Sequence, residues 1–406
     1  MSIKPIEAGG VTSPRDFVAG TAVAAIKKPG RADVAIVASG RDCAAAAVFT
    51  QNQVVAAPII ISRETWANHA HQIRAVVANA GNANACTGQP GLANGREMQR
   101  VTAVSLDCQP HQVLVLSTGV IGVQLPMARL TAGIEQAAQQ LNAAHGHQAA
   151  QAIMTTDTYA KETAVSLQLS TGSVTIGGMA KGSGMIHPNM ATMLAVLTTD
   201  ALVAPEQLQA MLQTAVATSF NRISVDGDTS TNDAVILLAN GATGVGLANA
   251  DDAALFGQAL TQICTHLAHL IVRDGEGATK FVTLHVSGTT DDVAAHQIAQ
   301  TIATSPLVKT AFAGSDANWG RILAAAGRAG IAFDQNQVSL YIEGDKRLQL
   351  VAHGTPTAYA EADAAAIFAE TAFTVHLDLH AGPGRATMWT TDLSHDYVSI
   401  NADYRT

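Results

Sequence analysis

"AVSLQLSTGSVTIGGMAKGSGMIHPNMATMLAVLTTD", residues 164–200, contains three segments with three different readings. Its first part alternates apolar and polar residues on either side of a Ser-Thr-Gly turn, which predicts a β-hairpin. Its last part, "TMLAVLTTD", is continuously apolar, the pattern of a strand buried on both faces. Between them "KGSGMIHPN" is glycine-punctuated, and a lone threonine, Thr192, stands where the link meets the strand. A hairpin that runs into a doubly buried strand predicts a mixed sheet inside a layered structure.

The flanking sequence extends that pattern in both directions. Upstream, "ADVAIVAS", "AAAAVFT", "APIIIS", "IRAVVANAG" and "QVLVLSTG" read as strands. Helices are expected near Leu92–Leu106 and over "QLPMARLTAGIEQAAQQLNAA", with Pro126 tolerated near the start. Downstream, "PEQLQAMLQTAVATSF" and "DDAALFGQALTQICTHLAHLIVRD" read as helices around a core strand, "DAVILLAN". The last third alternates strands "KFVTLHVSG", "VKTAFAG", "VSLYIEG", "FTVHLDLHAG" and "ATMWTTDL" with helices near Asp291–Thr304, over "WGRILAAAG" and near Tyr359–Ala372. Hairpins with interspersed helices predict α+β layers of mixed sheet and helix, not a doubly wound parallel sheet.

Composition narrows the function. The 406 residues exceed what one small core holds, so two or three packed units are expected. The net charge of −9 opposes binding to a phosphate backbone, and aromatics, at 4%, offer few stacking platforms, so nucleic acid is not an expected partner. No run of 18 apolar residues and no basic-then-apolar leader appears, so neither a membrane span nor a secretory signal is expected. Cys43, Cys86, Cys108 and Cys264 are scattered without C-x-x-C spacing, which fits reduced thiols in the cytoplasm and no zinc cage.

Several motifs invite chemistry that their spacing does not support. "GGMAKGSG" places Lys181 before Gly182 and Ser183, out of register with a phosphate loop. "HLDLH" puts His376, Asp378 and His380 on one strand face, but a solvated polar face explains them better than zinc, and no metal is expected. No G-x-S-x-G elbow occurs. Thr192 is different in kind. A threonine that begins a chain carries its own base, because a free α-amine titrates near 7.7–8.0. Internal Thr192 would gain that amine only by cleavage of the Ala191–Thr192 bond. Gly182 and Gly184 supply backbone freedom and Pro188 a fixed φ, but glycine-rich loops are common, and the residues alone favour an ordinary loop-to-strand junction.

"GGMAKGSGMIHPNMATMLAVLTTDA" resembles the signature of the ornithine acetyltransferase (glutamate N-acetyltransferase) family. The resemblance continues in "VANAGNANACTG", "LSTGVIG", "MTTDTYAK", "FNRISVDGDTSTND", "RDGEGATK", "SDANWGRILAAAGRAG" and the terminal "INADYRT", from about residue 77 to the end. It implies two lobes plus a C-terminal part, and self-cleavage into an α chain, 1–191, and a β chain, 192–406, assembled as an α2β2 heterotetramer. It implies that Thr192 is the nucleophile, acetylated by N-acetylornithine and deacetylated by glutamate in a ping-pong cycle of arginine biosynthesis. Thr118 and Gly119 are then the oxyanion hole. Thr155, Lys181, Thr192, Glu276, Asn401 and Thr406 are the substrate contacts, with Thr156 an equally good reading of the "TTDT" motif. No cofactor is expected, and whether acetyl-CoA serves as a second acetyl donor stays open. The alternative is an N-terminal-nucleophile amidohydrolase or aminopeptidase that passes the acyl group to water.

Overall fold

A computed structural model describes residues 2–26, 30–187 and 193–403. Ala191, Thr192 and Thr406, and the bond expected to be cleaved, therefore lie outside the described residues. The chain forms two compact units: Met1–Asn221 with Asp228–Ile271, and Arg222–Gly227 with Val272–Thr406. The expected α and β chains are products of a chemical cut, whereas these units are packing units. Residues on both sides of position 191 belong to the first unit.

In chain order the elements are β1 Ser2–Pro5, β2 Phe17–Ala22, β3 Val34–Phe49, α1 Ala57–His69, β4 Ile73–Asn79, α2 Gly88–Ser105 and β5 Val113–Ser117. There follow α3 Met127–Gln139, α4 Gly146–Ala152, β6 Lys161–Gln168, β7 Ser173–Lys181, β8 Leu194–Thr199 and α5 Pro205–Thr218. The short β9 Ile223–Ser224 belongs to the second unit, and β10 Ala234–Ala239 and α6 Ala250–Arg273, the latter as far as Ile271, return to the first. The second unit continues with β11 Phe281–Thr289, α7 Asp292–Ala303, α8 Pro306–Ala313, α9 Trp319–Gly327, β12 Ser339–Glu343 and β13 Arg347–Ala352. It ends with β14 Thr355–Pro356, α10 Glu361–Ala369, β15 Ala372–Asp378, β16 Gly384–Thr391 and α11 His395–Ala402.

The first unit is built on one mixed sheet in the order β1-β6-β7-β8-β10-β3-β4-β5, with β2 also paired to β3. β6 and β7 form the expected hairpin, and β8 lies antiparallel to β7 and parallel to β10. Every residue of β8 and β10 is buried, as a continuous apolar run requires. β3 serves both halves of the sheet: Val34–Ala38 pair with β2 and β4, and Ala44–Phe49 pair with β10. Its alternate residues feed two cores, Ala35 and Val37 one, Val34 and Ile36 the other. The Gly177-Gly178 pair in β7 has a packing cause. A Cβ at Gly177 would lie 2.1 Å from the Gly10 carbonyl oxygen, and one at Gly178 2.5 Å from Leu197. α6 is long and apolar enough to cross a membrane, but Phe256, Leu260, Ile263, Leu267 and Ile271 form a stripe buried in the protein.

The second unit has a seven-stranded mixed sheet, β14-β13-β12-β15-β11-β16-β9. β15 alternates buried and half-buried residues, so one face holds the core, where Phe312, Phe368 and Phe373 pack together. The α+β layering is as expected, but two elements differ in type. "APIIIS" and "VKTAFAG" are helical, in α1 and α8. Each has a proline in its first turn, and residues three and four apart face the core: Val308, Ala311 and Phe312 in α8. A short apolar run fits either period, and tertiary packing decides between them.

Candidate active site

β4 and β5 run parallel and end together at Asn79 and Ser117. The two segments that leave them are interlocked by hydrogen bonds. The Thr118 N–H donates to the Asn79 carbonyl at 2.9 Å, the Ser117 hydroxyl to Asn79 Oδ1 at 2.7 Å, and Asn79 Nδ2 to the Asn82 carbonyl at 2.9 Å. Val120 N–H donates to the Gly81 carbonyl, and Ala83 N–H to that of Val120. Between these anchors, the Gly119 N–H and the Thr118 hydroxyl make no hydrogen bond among the described residues. Gly119 has φ +134, and a Cβ there would lie 2.2 Å from the carbonyl carbon of Gly81. Only glycine fits this close approach.

A second buried pair ties this loop to the start of β8. Asn232 Nδ2 donates to the carbonyls of Ser117 and Ala83, at 2.9 and 2.7 Å. Its neighbour Asp233 is fully buried and accepts from the Met193 N–H at 2.8 Å. The residue after Thr192 and the residue before Thr118 are thus held through two adjacent side chains. Burial pushes the Asp233 carboxyl well above the usual carboxylate range, against the opposing influence of the Met193 N–H, the Lys181 charge and Ser230.

Lys181 ends β7 and is buried. Its ammonium lies 3.8 Å from Asp157 Oδ2. Asp157 also accepts from Lys161 Nζ at 2.7 Å, the Gly182 N–H at 2.7 Å and the Thr155 N–H at 2.9 Å. Burial alone would raise its pKa. Lys181, Lys161 and the hydrogen bonds outweigh burial and hold it well below the usual carboxylate range. Thr156 shares a hydrogen bond with the Ser183 hydroxyl at 2.7 Å, whereas the Thr155 hydroxyl has no partner among the described residues.

In the second unit Glu276 sits in the turn after α6, where Asn401 Nδ2 of α11 donates to its carboxylate at 2.8 Å. The turn is clasped to α11: Ser394 donates to the Gly277 carbonyl, and a Cβ at Gly277 would strike the Tyr397 nitrogen. A chain end with few apolar residues reads as a fraying tail, but here it is helical as far as Ala402.

The structure therefore gathers Thr118 and Gly119, and separately Thr155 with Lys181, in the first unit, and joins Glu276 to Asn401 in the second. Sequence reasoning passed over Asn79, Asn232, Asp233, Asp157 and Lys161. The available signal was the density of polar residues in "NAGNAN", "TSTND" and "TTDTYAK", beside strands that must be buried. Polar groups there need partners inside the protein. His376 and His380, by contrast, bond to Glu343 and Ser339, and no group of three metal-binding side chains occurs among the described residues.

Comparison with known proteins agrees with these motifs. The ArgJ family model matches residues 18–406. The arginine biosynthesis bifunctional protein ArgJ of Symbiobacterium thermophilum is 50% identical, over 98% of this chain and 99% of its own length. That of Geobacter sulfurreducens is 49% identical, over 94% and 97%. A crystal structure of ornithine acetyltransferase complexed with ornithine, from Mycobacterium tuberculosis, is 37% identical over 46% of this chain and 98% of its own, with a TM-score of 0.43. With a family match that spans nearly the whole sequence and relatives of equal length at half identity, the chain belongs to the ArgJ family.

Proposed function

We propose that this chain is a self-cleaving acetyltransferase of arginine biosynthesis that moves the acetyl group of N2-acetyl-L-ornithine to L-glutamate. The observation that carries the reading is the pair of donors at Thr118 and Gly119 that make no hydrogen bond among the described residues, on a loop bonded through Asn232 and Asp233 to the residue after Thr192. Attack of the Thr192 hydroxyl on the Ala191 carbonyl exchanges the peptide bond for an ester. Water then hydrolyses the ester, leaving a carboxylate on Ala191 and a free α-amine on Thr192. That amine takes the hydroxyl proton as Thr192 adds to the acetyl carbonyl of N-acetylornithine. The oxyanion of the tetrahedral intermediate is received by the Thr118 hydroxyl and the Gly119 N–H, each worth about 3–4 kcal/mol by analogy with single donors removed elsewhere. Collapse breaks the C–N bond, and ornithine leaves with the proton. The neutral amine of glutamate then attacks the acetyl ester and restores Thr192.

On this reading Lys181 pairs with the substrate carboxylate, Thr155 donates from its hydroxyl, and Glu276, oriented by Asn401, receives the ornithine ammonium. Thr406 completes the contacts. No cofactor is needed. Acetyl-CoA acts as a second acetyl donor, in keeping with the word bifunctional in the relatives' names. The active form is a cytoplasmic α2β2 heterotetramer.

Denaturing electrophoresis of the active protein should give chains of 191 and 215 residues. Thr192→Ala should give a single 41.8 kDa chain without transferase activity. A single full-length band in an active preparation would refute self-cleavage. Ornithine release from N-acetylornithine should require glutamate, and release independent of glutamate would assign the protein to the hydrolases. Acetylation of glutamate from acetyl-CoA tests the second donor directly.

A further inference from the structure

The turn that carries Glu276 lies against a short run of the C-terminal segment. The Ala278 N–H donates to the Gly275 carbonyl at 2.9 Å, closing a four-residue turn with Glu276 second and Gly277, at φ +67, third. A Cβ at Gly275 would come within 3.0 Å of the Thr391 methyl carbon, and one at Gly277 within 2.5 Å of the Tyr397 nitrogen.

Asp392 is the anchor of this contact. It follows the end of β16 and is buried. Its Oδ1 accepts from the Thr279 N–H at 2.8 Å and the Lys280 N–H at 2.9 Å, and its Oδ2 from the Thr279 hydroxyl at 2.7 Å. Hydrogen bonds to an ionised acceptor are stronger than neutral ones. Two residues on, Ser394 donates to the Gly277 carbonyl at 2.6 Å. The anchor is itself braced by buried Lys309. Its Nζ donates to the Thr391 carbonyl and hydroxyl, and its carbonyl accepts from the Leu393 N–H at 3.1 Å. Ser394 also precedes α11, whose Asn401 donates to Glu276 at 2.8 Å and to the Tyr397 carbonyl at 3.0 Å. One run, residues 391–394, therefore places both partners of the Glu276–Asn401 bond.

We propose that Asp392 and Ser394 are positioning residues for Glu276 and set the preference for a donor with a side-chain ammonium. The inference rests on the reading that Glu276 receives the ornithine ammonium. A half-buried glutamate on a free turn would have to be ordered as the ammonium arrives, at a cost in affinity. A turn bonded at Gly277, Thr279 and Lys280 is ordered beforehand. Asp392 bonds to groups three and four residues beyond Glu276, so it acts on the place of that carboxylate.

The test is the preference for N2-acetyl-L-ornithine over N2-acetyl-L-norvaline, the analogue without the side-chain amine, read as a ratio of kcat/KM values with glutamate as acceptor. This internal ratio is insensitive to the fraction of enzyme correctly folded. In a ping-pong cycle each kcat/KM reports one half-reaction only. Asp392→Ala should lower the preference about fivefold, mostly through KM, and leave kcat/KM for glutamate relative to that for N-acetylnorvaline within about twofold. Asp392→Asn keeps an oxygen for both N–H groups and offers its amide to the Thr279 hydroxyl, so the preference should stay within about twofold of the parent. An unchanged preference in Asp392→Ala, or an equal loss in Asp392→Asn, overturns the proposal. Should Asp392→Ala not accumulate, Ser394→Ala decides alone: the preference should fall about threefold, and an unchanged one overturns the proposal. Glu276→Gln separates the two levels. If it leaves the preference intact, the reading of Glu276 fails. If it lowers the preference while Asp392→Ala does not, the reading stands and the positioning role falls. Added to Glu276→Gln, Asp392→Ala should change the preference by less than about twofold, because the anchor acts through Glu276; a further fivefold loss overturns that.

Discussion

Gly119→Ala probes the oxyanion loop most sharply. The added methyl would sit 2.2 Å from the Gly81 carbonyl carbon, 2.4 Å from the Asn82 nitrogen and 2.7 Å from the Gly81 Cα. Ordinary contact begins near 3.4 Å, so the loop must retreat by about 1 Å. All three atoms are backbone, and Asn82 and Gly81 are held by the bonds to Asn79 and Val120, so the partner loop cannot yield as a side chain would. The donor at position 119 is therefore displaced by about 1 Å, which costs roughly 10²-fold, and loss of one oxyanion donor costs about 10²–10³ in kcat. Gly122→Ala is the matched control. Its φ of +82 also disfavours alanine, but nothing lies within 4 Å of the new methyl. It should lose about 1–2 kcal/mol of stability and less than threefold in kcat. Initial rates of N-acetylglutamate formation, normalised to the cleaved fraction, supply the comparison. Equal kcat for Gly119→Ala and the parent, or equal losses in both variants, would refute the assignment of the Gly119 N–H.

Glu276→Gln should raise KM for N-acetylornithine by about tenfold and leave KM for glutamate nearly unchanged, because only ornithine carries the side-chain ammonium. Equal effects on both substrates would remove Glu276 from that role. Lys309, in α8, is fully buried among Thr390 and Thr391. Burial lowers its pKa to about 7, with Asp392 and Asp226 opposing the shift. The unfolded chain keeps that proton up to about 10.4, so between about pH 7 and 10.4 the unfolded state binds more protons and stability rises with pH. The burial cost is present in full below about pH 7. Urea unfolding at pH 7 and 9.5 should show the parent gaining up to about 3 kcal/mol relative to Lys309→Met. A pH-independent difference between the two would contradict the depressed pKa.

Much of the architecture was legible from periodicity. The hairpin of β6 and β7 and the doubly buried β8 and β10 follow from alternation and from continuous apolar runs, signals carried within a few residues. "APIIIS" and "VKTAFAG" fit a strand as sequence for the same reason: a mostly apolar run of six or seven residues satisfies both periods, and the proline in the first turn of each helix carries more weight than the run. The reach of β3 across both halves of the sheet was hidden by "SGRD", which reads as a break but is only an irregularity in one long strand.

By itself the sequence determined the family, the layered mixed-sheet class and the threonine on which the chemistry is proposed to turn, because these reside in local pattern and in motifs kept in order along the chain. Only the tertiary structure decided which polar groups are engaged. Asn232 reaches Ser117 from 115 positions away, and Asp233 reaches Met193 from 40. Asp157 and Lys161, four apart, resemble a surface helix pair in sequence but meet in the interior beside Lys181. Hydrogen-bond satisfaction and buried charge are properties of surroundings assembled from distant segments, and no window of sequence contains them.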